Sequence, residues 1–179
     1  MCAGGLNPSG RIIVFLCGEP ELDDNYYMGL ALDEAREAYE IGEVPIGAVL
    51  VMDGQVVASG HNMRECWYDA TAHAEMIAIR EACKKLGRWR LTGLTMYVTI
   101  EPCPMCAGAL VMSRIDRLVY GSADVKAGAV ESIFNIAQND ALNHSMLVTA
   151  GVRAHECAQI MKDFFKQRRK KSNNPKIDT

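Results

Sequence analysis

Several features that would fix a protein's class are missing from this chain. No apolar run approaches the roughly 20 residues a bilayer-spanning helix needs, which excludes a helical membrane anchor within it. The apolar stretch Ile12 to Cys17 follows a lone Arg11 and ends at no small-residue cleavage site, so it does not read as a secretory signal. There is no phosphate-binding glycine loop, no internal repeat and no long linker. A large excess of either charge is absent too: the formal net charge is -3, which argues against a wholly basic nucleic-acid binder and leaves room for a local basic patch. The charge is uneven, with acids dense from Glu19 to Asp24 and bases from Lys166 to Lys171.

What is present is ordinary for a globular protein. A chain of 179 residues, 49% hydrophobic and 23% charged, can bury one proper core. The seven cysteines form an odd set, which suits a reducing compartment such as the cytoplasm better than a disulfide framework. Cys2, Cys17, Cys66, Cys83 and Cys157 read as small buried hydrophobes or inert surface thiols.

The other two cysteines belong to a constellation. His73-Ala74-Glu75 and Pro102-Cys103-Pro104-Met105-Cys106 together offer one imidazole, two thiols and a spare carboxylate. Neutral imidazole and thiolate suit zinc, and three such ligands leave a tetrahedral ion one open position. Pro104 fits the first position of a helix, which makes Cys103 its cap and Cys106 a first-turn residue, both at the positive helix end that favours thiolate. Thr71 is the expected cap of a second helix starting near His73. Taken singly, each half has a plainer meaning. A Cys-x-x-Cys can be a redox pair or half of a structural zinc site, and a His near a Glu is commonly just a helix start.

Periodicity predicts an α/β fold of three layers, with a mixed five-stranded sheet flanked by helices. A helix capped by Asp24 runs to about Ile41 and stops at Gly42. Strands Ile46 to Met52 and Gln55 to Gly60 are joined by Asp53-Gly54, a type I′ hairpin signal. The His73 helix extends to Leu86, strand Thr95 to Ile100 leads into Cys103, and the cysteine helix ends near Ser113. Strand Arg117 to Gly121, a short helix Ala129 to Asn135, strand Met146 to Thr149 and a helix from Ala154 to Arg169 follow. Residues 1–22 are expected to be a disordered extension, 23–171 a single domain and 172–179 a disordered tail.

His-x-Glu followed by Pro-Cys-x-x-Cys is the signature of the zinc-dependent cytidine deaminase superfamily. Beyond it, the chain from about Asp24 to Lys171 resembles bacterial tRNA-specific adenosine deaminases. The stretches that carry the likeness are Glu43 to Val49, Gly60-His61-Asn62, Ala72 to Glu75, Glu101 to Gly108, Asp124 to Ala129, Leu142-Asn143-His144, and Glu156 through Arg169. The resemblance implies a cytidine deaminase-like fold and conversion of adenosine to inosine at the wobble position of an anticodon. It implies one zinc per subunit on His73, Cys103 and Cys106, with Glu75 as the catalytic proton carrier. Asn62, Val44, Pro45 and Ala74 would meet the target nucleoside. Asp124, Lys126 and Asn143 would lie near flanking nucleotides, and Phe165, Arg168 and Arg169 would hold the anticodon stem-loop. A cytoplasmic homodimer is implied, with Ala107, Ala109, Leu110, Val111 and Met112 as interface candidates that could equally be core. Phe164 and Phe165 at helical spacing are more often core than stacking platforms, so one is expected buried and one near the RNA. Glu101, at a strand end, is expected to bond backbone rather than act as an acid. A small-molecule deaminase acting on guanine or cytosine, and a non-catalytic zinc-stabilised RNA-binding subunit, remain as alternatives.

Overall fold

The main sheet has five strands, and one of them leads directly into the helix that carries the two cysteines. The computed structural model describes residues 5–6, 12–13 and 23–172. The expected extension 1–22 and tail 172–179 lie outside the described residues, apart from Ser172 and a short antiparallel ladder of β1 (Gly5–Leu6) with β2 (Ile12–Ile13). The main elements are α1 (Asp24–Glu40), β3 (Gly47–Met52), β4 (Gln55–His61), α2 (Arg64–Trp67), α3 (Ala74–Leu86), β5 (Leu94–Ile100), α4 (Pro104–Met112), β6 (Arg117–Ser122), β7 (Leu147–Ala150) and α5 (Ala154–Ser172). The sheet order is β4-β3-β5-β6-β7. β3 pairs antiparallel with both β4 and β5, while β5, β6 and β7 are parallel.

Alternation along the central strands builds two cores. Ala48, Leu50, Met96, Val98, Leu118 and Tyr120 face α3 and α4. Val49, Val51, Tyr97 and Val119 face the other way, against Tyr27, Met28, Ala31 and Leu32 of α1 and Cys157 of α5. A period of two in the strands and a period near 3.6 in the helices thus give the expected three layers. The hairpin forms as read, with Asp53 and Gly54 at φ 51 and 74°. Gly47 allows α1 to lie on β3, because a Cβ there would run into the α1 backbone.

Three local expectations are corrected. The cap of α1 is Asp23, whose carboxylate accepts from Tyr26 N at 3.0 Å. Asp24 instead accepts both guanidinium nitrogens of Arg117 and the Tyr97 hydroxyl. The cap of α3 is His73 itself, since Thr71 is tied through its N–H and hydroxyl to Asp69. No helix forms at Ala129 to Asn135. There the chain wraps the Glu101 carboxylate, which takes the N–H groups of Val130, Glu131 and Ser132 that a helix would have left to capping. The one-turn helix α2 has no counterpart in the sequence reading.

Candidate active site

β5 has an antiparallel neighbour on one side and a parallel one on the other, and the crevice beyond the carboxyl ends of such strands is where α/β sheets bind ligands. Two helix starts point into it. His73 caps α3 and Cys103 caps α4, with Pro104 in the first turn, as the prolines require. His73 Nδ1 lies 3.6 Å from Cys103 Sγ and 3.5 Å from Cys106 Sγ, and the three donor atoms are within 4.8 Å of one another. Tetrahedral bonds of about 2.3 Å to sulfur and about 2.0–2.1 Å to nitrogen would set sulfur and nitrogen donors about 3.5–3.6 Å apart, so the donor set matches zinc in spacing as well as in kind.

The thiols also behave as metal ligands should. Cys106 donates to Cys103, and His73 lies beside it, so the Cys103 thiol is held down to about 4. The same hydrogen bond, together with burial, pushes Cys106 well above the ordinary thiol range. The two thiols thus oppose each other's ionisation, and a cation held between them would favour thiolate at both. His73 is raised by its contact with Cys103. Glu75, only 4% exposed, is raised by burial, with the Cys103 charge adding to the effect. A carboxyl whose pKa is raised by burial is suited to taking up a proton and giving it back.

Glu101 has the structural role its position suggested. It is buried and accepts from the N–H groups of Asp124 (3.0 Å), Val130 (3.1 Å), Glu131 (2.8 Å) and Ser132 (2.9 Å), and from the Ser132 hydroxyl. Burial opposes its ionisation, but these donors outweigh it and bring its pKa to about 2. This carboxylate fastens the 124–132 loop beside Pro102, where Ala129 N also bonds Pro102 O at 2.8 Å.

The remaining sequence-predicted residues divide into groups. Val44 and Pro45 form the turn into β3, and Asn62 N bonds Ile46 O at 3.0 Å, so these residues adjoin. Ala74 is fully buried, and its methyl belongs to the core, which leaves its backbone N–H at the α3 start as what it can offer a substrate. Lys126, Phe165 and Arg169 line one recess of about 380 Å³, together with Met161 and Lys162. Asp124 shapes that loop by accepting from Lys126 N and Ala127 N. Phe164 is buried against Tyr39, and Phe165 is 40% exposed. Arg168 lies over the Phe164 ring and does not line the recess. Asn143 is outside this group as well, its oxygen accepting from Arg114 beyond the far end of α4.

Sequence reasoning missed Lys162, although 162, 165 and 169 share a helix face. It also missed α2 and the buried Glu43, for which the sequence carries no spacing signal. Among the interface candidates, Ala107, Leu110 and Val111 are core, while Met112 is 65% exposed.

Comparison with known proteins agrees with this fold. Residues 22–169 match the MafB19-like deaminase family. The tRNA-specific adenosine deaminase of Bacillus subtilis is 51% identical over 148 residues, covering 83% of this chain and 92% of that one. A solved structure from work on A-to-I editing by tRNA deaminases at the wobble position superposes with a TM-score of 0.73 at 50% identity, over 75% of this chain and 98% of that one. A guanine deaminase from Bacillus subtilis is more distant, with a TM-score of 0.56 and 30% identity over 82% of this chain and 94% of that one. On fold, site and similarity together, the chain belongs to the MafB19-like deaminases and, among them, to the tRNA-specific adenosine deaminase family.

Proposed function

We propose that this protein hydrolyses adenosine to inosine and ammonia at the wobble position of a tRNA anticodon, using one zinc ion per subunit. The observation that carries the reading is the His73, Cys103 and Cys106 donor set beside a buried carboxylate, Glu75, that the metal does not need. When bound there, zinc lowers the pKa of a coordinated water to about 7 and so supplies hydroxide near neutral pH. Glu75 holds the proton in this scheme. It takes one proton from the attacking water and delivers it to the ring nitrogen next to the amine-bearing carbon as the new C–O bond forms. It then moves the proton of that added hydroxyl to the amine, so that the C–N bond breaks, ammonia leaves and the carbonyl of inosine remains. Asn62, the Val44-Pro45 turn and the Ala74 N–H orient the base. An anticodon loop is single-stranded, so extruding one base from it costs little.

The recess of Lys126, Met161, Lys162, Phe165 and Arg169 supports an RNA substrate over a free base. It joins three cations to an exposed aromatic, the pairing that single-stranded nucleic acid binds through phosphate contacts and stacking. Asp124 shapes the loop that carries Lys126, while Asn143 and Arg168 lie outside the recess. Among the described residues no helix is long and apolar enough to cross a membrane. Thiolate ligands need a reducing compartment, consistent with a cytoplasmic enzyme. A homodimer is part of this reading, with Met112, exposed on α4, as a residue that a second copy would cover. The test is a substrate panel of anticodon stem-loop, adenosine, guanine and cytosine, followed by ammonia release. Fast turnover of the stem-loop alone fits the reading, whereas efficient turnover of guanine that the stem-loop does not inhibit would replace it with the small-molecule one.

A further inference from the structure

One buried carboxylate near the site has no part in that scheme. Glu43 is 1% exposed, and no Lys, Arg or His among the described residues forms an ion pair with it. Such burial is costly unless every oxygen is bonded. Both are: Oε2 accepts from Asn62 Nδ2 at 2.9 Å, and Oε1 accepts from Cys66 N at 2.7 Å. The residue is itself fixed at the end of α1, where its N–H bonds Ala38 O at 2.9 Å.

An asparagine amide is nearly symmetric in shape, and its two flipped forms exchange a donor for an acceptor at each edge. Carboxylate oxygens only accept. The NH₂ of Asn62 must therefore face Glu43, which leaves Oδ1 on the other edge. Nothing among the described residues donates to that oxygen, and no buried side-chain atom among them lacks a partner, so Oδ1 is the part of Asn62 left open to a ligand. The second oxygen ties Cys66, and with it α2, to the same point, so Asn62 and the helix after it are set as one unit.

We propose that Glu43 is a positioning residue that locks Asn62 with its carbonyl oxygen toward the substrate, and so selects a nucleoside that presents a hydroxyl or N–H donor there. This rests on the reading that Asn62 meets the target nucleoside. Glu43→Gln tests it, since the new amide has one acceptor in place of two and cannot hold both partners. Expected is a loss of kcat/KM on the stem-loop of about 10- to 100-fold, carried by KM, with zinc content and Tm close to wild type. Asn62→Ala should lose a similar factor, and the double variant should be no worse than Asn62→Ala alone, because Glu43 acts through that side chain. The swapped pair, Glu43→Gln with Asn62→Asp, restores one donor facing one acceptor and keeps an oxygen toward the substrate. It should recover about 10-fold over Glu43→Gln, and it guards against the single variant being merely unfolded. Multiplicative losses in the double variant, or no recovery in the swap, overturn the proposal. So does an Asn62→Ala enzyme of wild-type kcat/KM, which would leave the zinc and Glu75 chemistry standing, whereas a wild-type enzyme inactive on the stem-loop would instead bring down the proposed function itself.

Discussion

Cys103 caps α4 and Cys106 stands in its first turn, and the two thiols oppose each other's ionisation unless a cation lies between them. Replacing either by Ala should therefore remove the metal, and elemental analysis should read far below one zinc per chain. A variant that keeps full zinc would refute the ligand set. Glu75→Gln keeps the shape of the side chain and loses the proton, so kcat should fall by about 10²–10⁴-fold with zinc content unchanged. These residues were legible in the sequence because their spacing is dictated by helix geometry: a proline at the first helical position fixes a cap before it and a first-turn residue after it. Glu43 and Lys162 were not legible. Their roles depend on which strand turn or loop lies opposite, and that is a tertiary fact with no period of its own.

At the scale of elements, the periodic segments formed within three residues of expectation, and the errors fell where polar side chains compete for backbone. Asp23 outcompeted Asp24 as a cap because Asp24 is drawn to Arg117, at 2.7 and 2.8 Å. That hydrogen bond from Arg117 holds the Asp24 pKa below its ordinary value. The folded pKa is thus lower than the unfolded one, so the pair stabilises the fold above about pH 4 and the contribution is lost as pH falls below it. Asp24→Asn should cost about 1–2 kcal/mol at neutral pH and flatten the fall of Tm with acid. An unchanged acid profile would show that the pair contributes nothing. The absent helix at 129–135 has the same origin, since Glu101 gathers five donors from Asp124 through Ser132. With Glu101→Gln, one or two of them lose an acceptor, and stability should drop by about 2–4 kcal/mol in a denaturant titration.

For the whole molecule, a net charge of -3 coexists with a local recess of Lys126, Lys162 and Arg169 around Phe165. An acidic body with a basic patch on one side orients an RNA strand instead of binding it anywhere. Phe165→Ala should weaken stem-loop binding by about 1–3 kcal/mol. Arg169→Ala should reduce the slope of log affinity against log salt by about 0.7. Arg168→Ala should change that slope less, because its guanidinium is occupied with Phe164. Equal effects of the two arginines, measured across a salt series, would contradict this division. The central claim is that this site deaminates a wobble adenosine, and the most direct measurement is single-turnover conversion of an anticodon stem-loop with adenosine at that position, followed by nucleoside analysis. The account predicts inosine at the wobble position only, abolished by Glu75→Gln and by zinc removal; no inosine from the zinc-loaded wild type, or equal inosine from the Glu75→Gln enzyme, would contradict it.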